Sequence, residues 1–206
     1  MCVTSVLARP NSSSNATSQG KQRLRRLALS RRAVIHGKLS SEAADRIEKF
    51  GRDFFVGNPL AVVGGYWPMR DEINCCPLLK QLNTLGWNIA LPCIIGSNRP
   101  LLFKHWEPGH KLEPGPFKTS EPSSRQAVLE PTVMLVPLVA FDAEGYRLGY
   151  GGGFYDRSIA ALRAKSAITT IGLSYDEQEV VKVPNERHDE RLDWILTPSG
   201  ARLTRA

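Results

Sequence analysis

The sequence predicts an α/β fold, a single domain whose mostly parallel sheet is flanked by helices. Three observations carry that reading. Short apolar runs of strand type alternate with stretches of helical periodicity. The most apolar run, "TVMLVPLVAF" at 132–141, reads as a central strand covered on both faces. Between that run and the next helical stretch, residues 145–153 hold five glycines in nine positions. A chain of 206 residues, 42% of them hydrophobic, is enough for one core and one domain.

Residues 1–20 are rich in Ser and Asn and contain no acid, which suits a disordered tail and, as an alternative, a transit peptide. They are set outside the fold as a tail. The folded unit is expected over 21–200, with 201–206 as a C-terminal tail. "KQRLRRLALSRRAVIHG" predicts a helix from Lys21, with Leu24, Leu27, Ala28 and Ile35 near one face and Gly37 as a C-cap. Ser40 then reads as the N-cap of a second helix, with Glu42 in its first turn and Ala43, Ile47, Phe50 and Phe54 at helical spacing.

"LAVVGGYW" (60–67) is a strand, followed by a helix with Asn74 as cap, Pro77 in the first turn, Leu78, Leu82 and Leu85 as its stripe and Gly86 as its stop. "WNIALPCII" and "LLFKHW" flank the turn signal "GSNRP" and predict a hairpin. Residues 107–128 carry four prolines and two glycines without a period, the signature of a long irregular loop, and such loops are usually functional. After the glycine cluster a helix is expected from Phe154 to Lys165, with Ile159, Ala160 and Leu162 facing the core. "AITTIGLSY" and "LDWILT" supply two late strands.

The net charge of +7 is local. Eight Lys or Arg and no acid lie in residues 1–40, which leaves the rest of the chain near neutral. That distribution favours contact with something small and anionic. Four cysteines without a C-x-x-C spacing suggest neither a disulfide framework nor a zinc site, so a reduced cytoplasmic setting is expected. No run approaches the roughly 18 apolar residues of a membrane span.

A strand, a glycine loop and a helix N-terminus in that order present backbone N–H groups and a positive dipole end to phosphate. The established variants do not fit, because both the dinucleotide and the Walker patterns require glycine where Phe154 stands. Arg147 precedes the loop. Asp156 follows it in the first helical turn, where it could cap the helix or reach a phosphate-bound Mg²⁺. Lys21 and Arg25, one turn apart, form a candidate cationic fork, against the ordinary reading of a solvated face. Spacing alone supports a phosphorylated ligand and goes no further.

Five blocks together resemble the 5-formyltetrahydrofolate cyclo-ligase, or methenyltetrahydrofolate synthetase, family: "KQRLR", "YWPMRDE" (66–72), "EPGPFKTSEP" (113–122), "VPLVAFDAEGYRLGYGGGFYDR" (136–157) and "VPNERHDERLDWILTP" (183–198). The resemblance implies cyclisation of 5-formyltetrahydrofolate, with or without a polyglutamate tail, to 5,10-methenyltetrahydrofolate. ATP and Mg²⁺ are required, and ADP and phosphate are released. It further implies Lys21, Arg25, Arg147, Gly149, Tyr150, Gly151, Gly152, Gly153, Phe154 and Tyr155 as ATP contacts, with Arg147 and Tyr155 catalytic. Trp67 and Glu72 match the folate-binding positions, and Asp156 and Asp189 the metal-linked acids. The chain departs from the family pattern at Lys118 and Thr119, where Gly-Ile is common, at the bulky Trp67, and at Phe154, where tyrosine is common.

Two rival readings compete. A basic helix within residues 9–38 could bind nucleic acid, although the neutral remainder and the glycine loop would then need another role. A relative that keeps the fold could serve a different phosphorylated ligand.

Overall fold

The computed structural model describes residues 12–55 and 61–205. One helix, α1 (Ser12–Phe55), runs 44 residues without interruption, a rod of about 66 Å. The tail expected over 1–20 therefore lies outside the described residues only up to 11, and residues 12–20 belong to α1. The two helices expected on either side of Gly37 are one, so neither the Gly37 C-cap nor the Ser40 N-cap exists. A mid-helix glycine costs about 1 kcal/mol. Burial on both sides of it outweighs that cost: Ala28 and Arg32 are covered before Gly37, and Ala43, Ala44, Ile47 and Phe55 after it. Leu27 is exposed instead of facing the core. Gly51 lets α1 seat against the next helix, since a Cβ there would stand 2.6 Å from a Leu78 methyl.

The main sheet has seven strands in the order β11-β10-β9-β6-β1-β2-β3. They are β1 (Val62–Gly64), β2 (Asn88–Cys93), β3 (Leu102–His105), β6 (Val133–Pro137), β9 (Thr169–Leu173), β10 (Trp194–Thr197) and β11 (Gly200–Leu203). The inner pairings β2/β1, β1/β6, β6/β9 and β9/β10 are parallel, and only the two edge strands, β3 and β11, run antiparallel. The mostly parallel α/β sheet is thus as the sequence predicts. β11 was not expected. It covers the β10 edge where a C-terminal tail was placed.

Helix α2 (Cys76–Thr84) connects β1 to β2, and α3 (Phe154–Arg163) lies between β6 and β9. In β6, Leu135 joins the core cluster built on Ile47, Leu78, Leu79 and Leu82, whereas Met134 and Val136 join the one built on Ile159 and Leu162. Successive side chains point to opposite faces, so this strand is covered on both, as its unbroken apolarity required. The apolar run ends earlier than 141, however. Ala140–Phe141 (β7) leaves the sheet and pairs with β8 (Arg147–Leu148) in a separate ribbon. Leu85 and Ala160 are exposed, not part of the core stripes assigned to them.

The segment 107–128 is more ordered than its composition predicts. β4 (Leu112–Pro114) and β5 (Ser120–Pro122) form a hairpin whose tip is residues 115–119. Its prolines sit at strand ends and at the turn, where a missing N–H does little harm.

Candidate active site

The parallel strands change direction of winding between β1 and β6, with α2 on one face and α3 on the other. In an open α/β sheet the crevice beyond the carboxyl ends of the strands at such a point is the place for a ligand. Here a cavity of about 1290 Å³ opens there. That exceeds the roughly 300–1,000 Å³ of a pocket for one small ligand. Two ligands side by side would fill it.

One end is built by the glycine loop. Asp142 accepts N–H bonds from Glu144 and Tyr146 with one carboxylate oxygen and from Val183 with the other. This turn delivers β8, and with it Arg147, to the cavity. The Arg147 side chain is 4% exposed and donates to the Glu190 carbonyl at 2.5 Å and to Asp156 Oδ1 at 2.8 Å. Burial pushes its pKa down, with Asp156 opposing, yet a guanidinium stays charged in any such setting. Gly151 and Gly153 adopt φ of 100° and 64°, which L side chains rarely tolerate. Gly153 is the left-handed cap of α3 and makes no side-chain cap bond, so Asp156 is not the helix cap. It accepts from Arg147 and from the Glu190 N–H instead.

Helix α1 lies across this loop. Arg25 Nε donates to the Gly149 carbonyl at 2.7 Å, and the same guanidinium is 3.3 Å from where a Cβ on Gly151 would be. Lys21 Nζ bridges Asp189 Oδ2 at 2.6 Å and Glu186 Oε2 at 2.8 Å. Burial would lower the Lys21 pKa, but the two carboxylates outweigh it and the net direction is up. The expected fork is therefore engaged with protein partners, with both cations still lining the cavity. His188, 75% exposed, stands at the rim, 3.8 Å from Glu186.

The other end is the turn after β1. Glu72 is 4% exposed, and its Oε2 accepts the Met69 N–H at 2.8 Å. Burial raises its pKa, against the Met69 N–H, Arg32 and the Tyr150 hydroxyl. Trp67 is 38% exposed, with its ring edge-on to the buried Trp106 at 6.1 Å. It belongs to the rim, not the core. Tyr155 also lines the cavity, and burial raises its hydroxyl pKa well above 10.0, so it enters any chemistry as a neutral phenol.

All the residues singled out from the sequence, namely Lys21, Arg25, Trp67, Glu72, Arg147, Gly149 to Tyr155, Asp156 and Asp189, line this one cavity. Three contributors were missed. Arg32, 1% exposed, donates to the Leu138 carbonyl and Asp71 Oδ1 at 3.0 Å each and to the Tyr150 hydroxyl at 2.6 Å, binding the two ends together. Arg157 braces the loop through the Gly152 carbonyl at 2.7 Å. Phe117, 69% exposed at the hairpin tip, leans on Phe154 with ring centroids 6.1 Å apart. The helical phase of Arg32 relative to Lys21 and Arg25 was a usable signal; Arg157 and Phe117 lie inside the blocks quoted above, with nothing in their spacing to single them out.

Among the described residues no group of three or more His, Cys, Asp or Glu side chains is placed to hold a metal by itself. Mg²⁺ bound to nucleotide takes only one or two protein carboxylates, the rest of its shell coming from phosphates and water. Asp156 and Asp189 each commit one oxygen to protein donors and fit that lesser role.

Comparison with known proteins gives a consistent result. The sequence profile of the 5-formyltetrahydrofolate cyclo-ligase family matches residues 17–198. The 5-formyltetrahydrofolate cyclo-ligase of Haemophilus influenzae is 30% identical over 184 residues, 87% of this chain and 98% of that protein. That of Escherichia coli (strain K12) is 36% identical over 133 residues, 62% of this chain and 72% of that protein. The solved structure of Aquifex aeolicus 5,10-methenyltetrahydrofolate synthetase superposes with a TM-score of 0.72 at 26% identity, covering 90% of this chain and 93% of that one. A Mycoplasma pneumoniae 5,10-methenyltetrahydrofolate synthetase shares the fold, with a TM-score of 0.70 at 22% identity over 86% of this chain and 98% of that one.

Proposed function

The chain belongs to the 5-formyltetrahydrofolate cyclo-ligase family, and from that premise we propose that it closes 5-formyltetrahydrofolate to 5,10-methenyltetrahydrofolate at the expense of ATP. The observation that carries the reading is the two-ended cavity. One end gathers three cations and a glycine loop at a helix N-terminus, and the other a buried carboxylate beside an exposed indole.

A formamide carbonyl is a poor electrophile and its oxygen a poor leaving group. In the proposed reaction that oxygen takes the terminal phosphoryl group of ATP, and ADP departs. The neighbouring amine then forms a bond to the formyl carbon and loses its proton, and the C–O bond breaks to release phosphate. No protein nucleophile is needed. The protein's work is to position the two ligands and neutralise charge. Lys21, Arg25 and Arg147 would hold the transferred group through charge-assisted hydrogen bonds, with the N–H groups of Gly149, Gly151, Gly152 and Gly153 able to approach because these residues carry no side chain. Glu72 would accept from the N–H edge of the pterin, and Trp67 would offer a face for stacking. Tyr155 would donate its phenolic proton in a hydrogen bond at the reacting end. Asp156 and Asp189 would hold Mg²⁺, which would supply further charge neutralisation on the phosphates.

Three of the eight basic residues in 1–40, Lys21, Arg25 and Arg32, are engaged within the fold, which weighs against a nucleic-acid arm. The test is the absorbance of the methenyl product after mixing protein, 5-formyltetrahydrofolate and Mg-ATP. Formation only with all components, lost on chelation and in Arg147→Ala, is expected. A folded protein that binds ATP and forms no product would overturn the proposal.

A further inference from the structure

Backbone in the left-handed region is unfavourable for any residue with a Cβ, and it survives where function and the surrounding structure hold it. Among the described residues only three non-glycine positions adopt it: Arg70 at φ 55°, Phe117 at 56° and Lys118 at 64°. All three line the cavity of the candidate active site, although they come from two separate loops.

Both loops are clamped from outside. The Arg70 turn is closed by the Glu72 N–H to the Met69 carbonyl and tied to α1 by Asp71, which accepts from Arg32. The Phe117–Lys118 tip is closed by the Gly115 N–H on the Thr119 carbonyl and the Thr119 N–H on the Pro116 carbonyl, and the Thr119 hydroxyl donates to Glu121, which also accepts the Ile94 N–H just after β2. The strain is therefore imposed, and glycine would relieve it at each position.

The side chains kept at this cost share a property. Lys21, Arg25, Arg147 and Arg157, the other cations of the cavity, each have hydrogen-bond partners in the protein. Arg70 and Lys118 are exposed and make no hydrogen bond or ion pair with any described residue. On the proposed function, the phosphates, the formyl group and the pterin already have partners. The substrate still carries an aminobenzoyl ring and two glutamate carboxylates. An exposed aromatic ring and two unpaired cations at the rim are their chemical complement.

We propose that Arg70, Phe117 and Lys118 anchor the aminobenzoylglutamate arm of the folate, the ring against Phe117 and the carboxylates on Arg70 and Lys118. This inference rests on the proposed function, and the experiment separates the two. Lys118→Gly and Arg70→Gly remove a cation and relieve strain together, so thermal stability should stay level or rise while substrate binding weakens. Each should raise KM for 5-formyltetrahydrofolate about two- to fivefold, the scale of a rim ion pair, and the double variant more. KM for ATP should not follow. The dimethyl ester of 5-formyltetrahydrofolate, with both carboxylates masked, should be handled alike by wild type and these two variants. Phe117→Gly should weaken acid and ester equally.

Unchanged KM in both cation variants, or an equal loss with the ester, would overturn the assignment. Should the wild type form no methenyl product, the proposed function fails. Calorimetric titration of 4-aminobenzoylglutamate then decides this inference alone: binding weakened in the glycine variants upholds it, and no binding by the wild type overturns it.

Discussion

Replacing Arg32 by Met should cost about 3 kcal/mol of stability, and the figure can be built from the contacts. Arg32 is 1% exposed and makes three hydrogen bonds. Breaking a buried ion pair from one side costs about 3–5 kcal/mol, because the partner charge is stranded. Two features pull toward the lower end. The Asp71 side chain is 16% exposed and can take up water. The Arg32 Nε has no hydrogen-bond partner, so its removal restores a desolvation cost already borne. The Leu138 carbonyl adds little, since Gln178 Nε2 also donates to it at 3.0 Å. In a chain of this length about 3 kcal/mol lowers Tm by about 6–12 °C.

Urea titration of the wild type, Arg32→Met, Asp71→Asn and the double variant measures both the loss and the coupling, which should reach about 1–2 kcal/mol for groups in direct contact. A loss under about 1 kcal/mol, or additivity between the two sites, would refute the reasoning that Arg32 carries the junction. Arg32→Lys should recover part of the stability. A single ammonium cannot serve Asp71, Tyr150 and Leu138 in the fork geometry of a guanidinium.

Other outcomes follow from single contacts. Glu72→Gln keeps the shape of the group that accepts the Met69 N–H but removes its charge, and should raise KM for the folate about tenfold or more while leaving KM for ATP near its wild-type value; equal effects on both would be a counterexample. Gly151→Ala forces a Cβ into φ 100° and toward Arg25, costs about 1–2 kcal/mol, and should weaken nucleotide affinity more than folate affinity when both are titrated calorimetrically. The Asp71 carboxyl, buried but more strongly influenced by Arg32, has its pKa lowered from 3.8. Its folded value lies below its unfolded one, so its contribution is complete above pH 3.8 and vanishes as pH falls through the folded value. The stability gap between wild type and Asp71→Asn should therefore be constant near neutrality and close in acid, and a gap that widens in acid would reverse the sign of the argument.

The sheet was legible because β6 states its own position: no alternation of polar and apolar residues, hence cover on both faces. The glycine loop was legible because strand, glycines and helix N-terminus occur in fixed order along the chain. Features decided by distant parts of the molecule were not. Gly37 and Ser40 carry the local signals of a helix break, and they are overruled by packing on both flanks of α1: α2 and the main sheet cover Ala43, Ile47 and Phe55, and the β7/β8 ribbon covers Ala28. The hairpin at 112–122 was hidden by its prolines, which lie where pairing ends. Backbone strain at Arg70, Phe117 and Lys118 leaves no trace in composition at all.

The unbroken α1 is what makes the two-ended cavity a single site. At about 100° per residue, the eleven positions from Lys21 to Arg32 bring the side chain back to within about 20° of its starting direction, and Arg25 falls on the same stripe. Three cations therefore descend from one rod onto Asp189, onto the Gly149 carbonyl, and onto the Asp71–Tyr150 junction. A break at Gly37 would leave those three in phase but detach them from Ala43, Ile47 and Phe55, the residues that seat the rod in the core. Continuity through Gly37 thus transmits the position of the core to the glycine loop. Tyr150 extends this to the Glu72 end of the cavity: its hydroxyl accepts from Arg32 and supports the charged form of Glu72. The proposed transfer between two ligands demands that their reacting atoms meet within about 3–3.5 Å, and a loop fixed to the same helix as Lys21 and Arg25 suits that demand without a separate hinge.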